Sequence, residues 1–158
     1  MLAVGDIAPD FAVRGRTLYG MLQEKAVVLF FFPKAFTPIC TKEASAFSRE
    51  FERLSRAGYE VVGVSTDKQS TNDAFAESLK LPFALVGDPE HEISRKYGVQ
   101  WPLIGLARRV TYIVEPSHRI RLAHHREFSA GSHVSAACGQ IEHGESYHRG
   151  ASFAGDKD

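Results

Sequence analysis

Apolar residues follow two different rhythms along this chain. Val27-Val28-Leu29-Phe30-Phe31-Phe32 and the valine-rich stretch Tyr59–Ser65 are too short for helices and suit strands buried on both faces. Between them Ala44, Phe47, Phe51 and Leu54 recur at helical spacing, with Lys42, Arg49, Glu52 and Arg53 on the other faces. That pattern predicts a helix from Pro38 to about Ala57, stopped by Gly58. Before the first strand, Phe11 and Val13 alternate with polar neighbours from Pro9 to about Leu18, which reads as a short hairpin. After the second strand, Ser70 or Thr71 can cap a helix reaching about Lys80, with Phe75 and Leu79 inward, and Phe83–Val86 is a short strand. Asp88 and Pro89 read as N-cap and first residue of a further helix, ended by Gly98. Val110–Val114 and Ile120–Leu122 are strands joined through Glu115-Pro116-Ser117-His118, and a last helix runs from Ser132 to about Ile141. The alternation predicts an α/β sandwich with a mixed sheet, one domain over residues 1–141. Residues 142–158 are polar, with Phe153 isolated, and are expected to be poorly ordered.

Composition narrows the function classes more than it defines one. Lysine plus arginine equals aspartate plus glutamate, 19 of each in 158 residues, so charge gives no reason to expect nucleic acid or a membrane surface. No apolar run approaches the ~20 residues of a spanning helix, and the first residues do not read as a signal peptide. Two cysteines far apart make no disulfide framework, which points to a reducing compartment and a cytoplasmic protein. Seven histidines raise the question of metal. His124 and His125 are neighbours on a strand and point apart, His143 and His148 fall in the tail, and no Cys/His spacing matches a zinc site. No metal and no cofactor are expected.

The first buried run leads directly to the candidate chemistry. Pro33 stops the strand, Thr37 reads as an N-cap, and Pro38 takes the first helical position, where its missing N–H costs nothing. Cys40 then lies in the first turn, over backbone N–H groups without partners inside the helix. A sulfur there faces the positive end of the macrodipole, which favours its ionised form. The plainer reading is a buried structural cysteine.

Pro33-x-x-x-Thr37-x-x-Cys40 resembles the active-site motif of the peroxiredoxins, and FFPKAFTPICTKE is most similar to their bacterioferritin-comigratory branch. Gly5-x-x-Ala8-Pro9-Asp10-Phe11, Val61-Val62-Gly63-Val64-Ser65-x-Asp67 and Tyr97-Gly98-Val99 also sit where that family has them. The resemblance implies a thioredoxin-like fold, a central mixed sheet flanked by helices. It implies a thiol-dependent peroxidase acting on hydrogen peroxide and organic hydroperoxides, with Cys40 as nucleophile and a sulfenic acid as product. Thr37 would meet the peroxide oxygen or serve only as a cap, and Pro33 would pack over the pocket and exclude water. Arg109 aligns with the arginine that faces the peroxidatic cysteine, while its neighbour Arg108 would point to the opposite face. Glu43 matches a glutamate that orients that arginine, though an exposed helix carboxylate is an equally ready reading. Relatives with a resolving cysteine five residues on differ here, because this chain has Ser45. Cys138 is left either as resolving cysteine, forming a disulfide with Cys40, or as a small buried side chain beside Val134 and Ile141. In the second case an external thiol, of thioredoxin or glutaredoxin type, does the reduction. Trp101 and Phe36 line the pocket rim or a homodimer contact, or pack in the core. A non-catalytic binding protein or holdase on the same scaffold is the rival reading. The relatives' usual glycine is missing from the turn 115–118, which leaves that turn's geometry open.

Overall fold

In the computed structural model, residues 1–142 are described. The expected poorly ordered tail, with His143, His148 and Phe153, lies otherwise outside them. The elements run β1 (Ala12–Val13), β2 (Arg16–Thr17), α1 (Leu18–Met21), β3 (Ala26–Phe31), α2 (Pro38–Arg56), β4 (Tyr59–Ser65), α3 (Gln69–Leu79), β5 (Ala84–Gly87), α4 (Glu92–Lys96), β6 (Val110–Val114), β7 (Ile120–His125) and α5 (Ala130–Glu142). Five strands form the central sheet in the order β5-β4-β3-β6-β7. β3, β4 and β5 are parallel, and β6 and β7 join antiparallel on the other side, so the sheet is mixed as expected.

The centre of this sheet is β3, paired on both edges and buried at all six positions. Its side chains alternate between two cores, because successive residues of a strand face opposite ways. Val27, Leu29 and Phe31 pack with Leu18, Val62, Tyr97 and Tyr112 on one face. Val28, Phe30 and Phe32 pack with Ala44, Phe47, Leu54 and Phe75 on the other, the face covered by α2 and α5. Gly63 is the contact point of that second face: a Cβ there would lie 2.6 Å from Leu85 Cδ2 and 2.7 Å from Phe30 Cζ. The Phe30 ring thus lies against bare backbone and stacks on Phe47 at 4.7 Å.

Several boundaries differ from expectation, each for a local reason. The hairpin exists, turning through Arg14 and Gly15 at positive φ, but Thr17 then caps the short helix α1 by accepting from Gly20 N–H at 3.0 Å. α3 begins at Gln69 after Lys68, so neither Ser70 nor Thr71 caps it. The Gln69 side chain bridges to β5 instead, donating to Leu85 O and accepting from Gly87 N–H. Pro89 is not helical: α4 starts three residues later. Asp88 still caps it from a distance, its carboxylate accepting from Ile93 N–H, Ser94 N–H and the Ser94 hydroxyl. In the turn lacking glycine, His118 takes φ 73°, with its ring stacked on Tyr19 at 3.7 Å. β7 runs three residues further than expected, to His125, which carries the chain on to the loop beside Arg109.

Candidate active site

β3 delivers the backbone to a loop, 32–37, that is tied down before α2 begins. Phe32 N–H donates to Val64 O, and Ala35 N–H donates to Asp67 Oδ2 at 2.8 Å. The same carboxylate oxygen accepts from the Ser65 hydroxyl at 2.7 Å, so the end of β4 holds the loop. Phe36 adopts φ 67°, uncommon for a bulky residue, with its ring 5.0 Å from that of Phe75. It is 55 % exposed, on the surface beside the site rather than in the core. Pro33 is half-buried in this loop.

Thr37 stands at the N-cap of α2 with extended backbone, and Pro38 follows as expected. Its side chain does not cap the helix. The hydroxyl donates to Lys34 O at 2.7 Å, which spends its proton and leaves its lone pairs to accept. A peroxide O–H is a suitable donor to it. Cys40 lies one turn on, 1 % exposed, beneath half-buried Thr37 and Ile39.

Arg109, just before β6, is 3 % exposed and donates from all three guanidinium nitrogens. Nε donates to Glu127 O at 2.8 Å, Nη1 to Glu43 Oε1 at 2.7 Å, and Nη2 to Cys40 Sγ at 3.3 Å. Its backbone N–H donates to Glu127 Oε1 at 3.1 Å. Burial by itself would lower the Arg109 pKa, but the facing Glu43 and Cys40 raise it on balance, so the cation is secure. Arg108 points the other way, over the Trp101 ring at 4.1 Å, as the alternation of neighbours requires. Glu43 is fully buried, which removes the reading of an exposed helix carboxylate. Burial pushes its carboxyl up to about 7, against the pull of the Arg109 charge and hydrogen bond.

With this geometry in view the comparisons are specific. Residues 4–123 match the model of the AhpC/TSA family. The chain belongs to the AhpC/TSA family. Its similarity to the chloroplastic peroxiredoxin Q of Sedum lineare is 35% identity over 135 residues, covering 82% of this chain and 73% of that protein. The peroxiredoxin Q of Populus jackii is 36% identical and also matched over 82% of this chain, which spans 63% of that relative's length. Among solved structures, peroxidoxin BcpB from Mycobacterium tuberculosis has a TM-score of 0.83 at 30% identity, covering 90% of this chain and 98% of that one. These relatives place the chain in the bacterioferritin-comigratory branch, and the fold is the thioredoxin-like one expected.

The structure brings Cys40, Thr37, Arg109 and Glu43 to one place, but not Cys138. Both cysteines are reduced. Cys138 lines a cleft of about 360 Å³ between α2 and α5 with Ala46, Glu50 and Val134, its Sγ 3.9 Å from Glu50 Oε1. Ten residues of helix separate Cys40 from Glu50, roughly 15 Å at 1.5 Å per residue. A disulfide needs Cα atoms within about 7 Å, so this arrangement does not allow one.

One buried residue of the site was not anticipated. His133, on α5, is fully buried; its Nε2 donates to Arg126 O at 2.8 Å and its Nδ1 accepts from the Thr111 hydroxyl at 2.8 Å. Nδ1 also lies 3.7 Å from Glu43 Oε2. Burial lowers its pKa to about 4, so the ring is neutral. Nothing in the spacing of α5 marked it, since a lone histidine near a helix start reads as a surface group. Asp67 ends the family-like stretch Val61–Asp67, and its Ser65-x-Asp67 spacing is the signal the sequence offers for it.

Proposed function

We propose that this chain is a thiol-dependent peroxidase that reduces hydrogen peroxide and small organic hydroperoxides at Cys40. The Arg109 Nη2 contact with Cys40 Sγ carries the reading, because a guanidinium fixed by two other hydrogen bonds stabilises a sulfur anion without rearranging. The thiolate attacks one peroxide oxygen and the O–O bond breaks. Cys40 becomes a sulfenic acid, and the other oxygen leaves as hydroxide or alkoxide, taking a proton to give water or alcohol. Thr37 receives the peroxide O–H, and Arg109 and the first-turn N–H groups of α2 meet the charge developing on the leaving oxygen. Pro33 keeps the pocket dry.

The sulfenic acid is reduced by an external thiol of thioredoxin or glutaredoxin type; the separation of Cys138 from Cys40 supports this over internal resolution. Such recycling suits a reducing compartment, and a cytoplasmic setting is proposed on that ground. A homodimer is proposed, with the exposed Phe36 beside the site as its contact. Stopped-flow oxidation tests the activity: Cys40 gains one oxygen by mass with one equivalent of peroxide, and Cys40→Ser does not turn over. A native thiol left unreacted by millimolar peroxide ends the proposal, and a Cys40–Cys138 bond in non-reducing mass mapping ends the external-thiol route.

A further inference from the structure

Two groups that can be anions share one buried cation. Among the described residues Arg109 is the only buried lysine or arginine, and it faces both Glu43 and Cys40. A charge taken out of water is costly unless an opposite charge sits beside it. One guanidinium balances one of the two, and with both ionised a second buried anion stands uncompensated. Peroxide reduction needs the anion on sulfur.

The geometry of Glu43 shows where the displaced proton goes. Oε1 is committed to Arg109, whereas Oε2 is buried without a hydrogen-bond partner. Opposite Oε2, at 3.7 Å, is His133 Nδ1. A carbonyl can only accept, so the contact with Arg126 O puts the ring proton on Nε2 and makes Nδ1 an acceptor. With Glu43 ionised, its buried negative oxygen would face a ring nitrogen that accepts from the Thr111 hydroxyl and has no proton to offer it. A proton on Oε2 removes that conflict.

We propose that Glu43 is a positioning residue that holds, on Oε2, the proton surrendered by Cys40, so that the site carries a single anion at a time. An S–H bond breaks, an O–H bond forms, and the guanidinium charge is released from the carboxylate to the sulfur; no net proton is taken up. This rests on Cys40 acting as the reactive thiolate. The groups around Glu43 are Cys40 on its own helix, Arg109 ahead of β6, His133 on α5 and Glu127 in the β7–α5 loop, with His124 of β7 and Arg126 beside His133. Among these, burial and Glu127 favour the protonated carboxyl and Arg109 opposes it.

Infrared spectroscopy of the full chain near neutral pH tests this. The native chain shows the carbonyl stretch of a buried carboxylic acid, absent in Glu43→Gln, and the band falls in Cys40→Ser because Glu43 becomes the one anion facing Arg109. A band that is missing from the native chain, or unchanged by Cys40→Ser, overturns the inference, and neither reading requires Glu43→Gln to fold. Thiolate absorbance gives a second readout of opposite sign for the two roles. If Glu43 holds the proton that Cys40 gives up, Glu43→Gln shows as much thiolate absorbance as the native chain or more. Less thiolate in that variant means that Glu43 acts as a carboxylate, and the inference fails. A protonated His133 ring by NMR in the thiolate state also overturns it. Failure of Cys40 to react with peroxide would end the proposed function instead, whatever the infrared band does.

Discussion

A guanidinium that makes three hydrogen bonds, one from each nitrogen, has a shape requirement as well as a charge. Arg109 reaches Glu127, Glu43 and Cys40 in three directions at once, which a lysine ammonium on a flexible stem cannot reproduce. Arg109→Lys is expected to slow Cys40 oxidation by roughly 10²-fold, the cost of losing one fixed donor to a developing charge, as read by stopped-flow fluorescence or mass. A second residue-scale effect is steric. Gly63→Ala places a methyl against Phe30 and Leu85, and the variant is expected to lose about 1–3 kcal/mol in urea unfolding. At this scale the sequence was legible wherever local spacing carried the information. Pro33, Thr37 and Cys40 are set by a strand end and a helix start. Arg109 and Glu43 needed the family likeness, because their meeting depends on a strand 66 residues away from the helix. His133 was illegible for the same reason: its partners lie on α2, β6 and the loop after β7, and no local pattern announces them.

Elements were legible in kind and less so at their ends. The period of Ala44, Phe47 and Leu54 predicted α2 and its buried face correctly. The start of α4 was misplaced because Asp88 caps from five and six residues away, whereas the sequence pattern suggested a cap directly before the helix. The end of α3 shows what such patterns leave out. Lys80 sits at the C-cap in the left-handed region with φ 52°, its N–H donating back to Glu77 O, a position where glycine avoids the Cβ clash. Lys80→Gly is expected to raise stability by roughly 1 kcal/mol, seen as a higher midpoint in thermal or urea unfolding.

The whole molecule responds to pH through the same buried pair that faces Arg109. Taken alone, a Glu43 carboxyl that keeps its proton in the fold and loses it when unfolded makes stability fall as pH rises from 4.5 through about 7; where Cys40 supplies that proton, the unfolded thiol holds it instead and this slope cancels. His133 works in the opposite sense: the unfolded ring takes a proton below 6.5 and the folded one does not until about 4, so stability falls as pH drops across that range. In the native chain the His133 slope therefore stands without an opposing one. Glu43→Gln is expected to keep losing unfolding free energy on acidification from 6.5 to 4, and His133→Gln to flatten the native chain's loss over that range, both measured by urea titration at stepped pH. The mixed character of the central sheet followed from family likeness and from the alternation of strands and helices, but its strand order did not; the pairing of β3 between β4 and β6 is what brings Cys40 and Arg109 together.

The near-complete burial of Cys40, 1 % exposed, would let the first turn of α2 act as a sieve. Oxidants the size of hydrogen peroxide are sorted from bulky thiol reagents before any chemistry begins. The proposed external reductant is far too large to enter, so its access to the oxidised sulfur would depend on how readily that helix end frays.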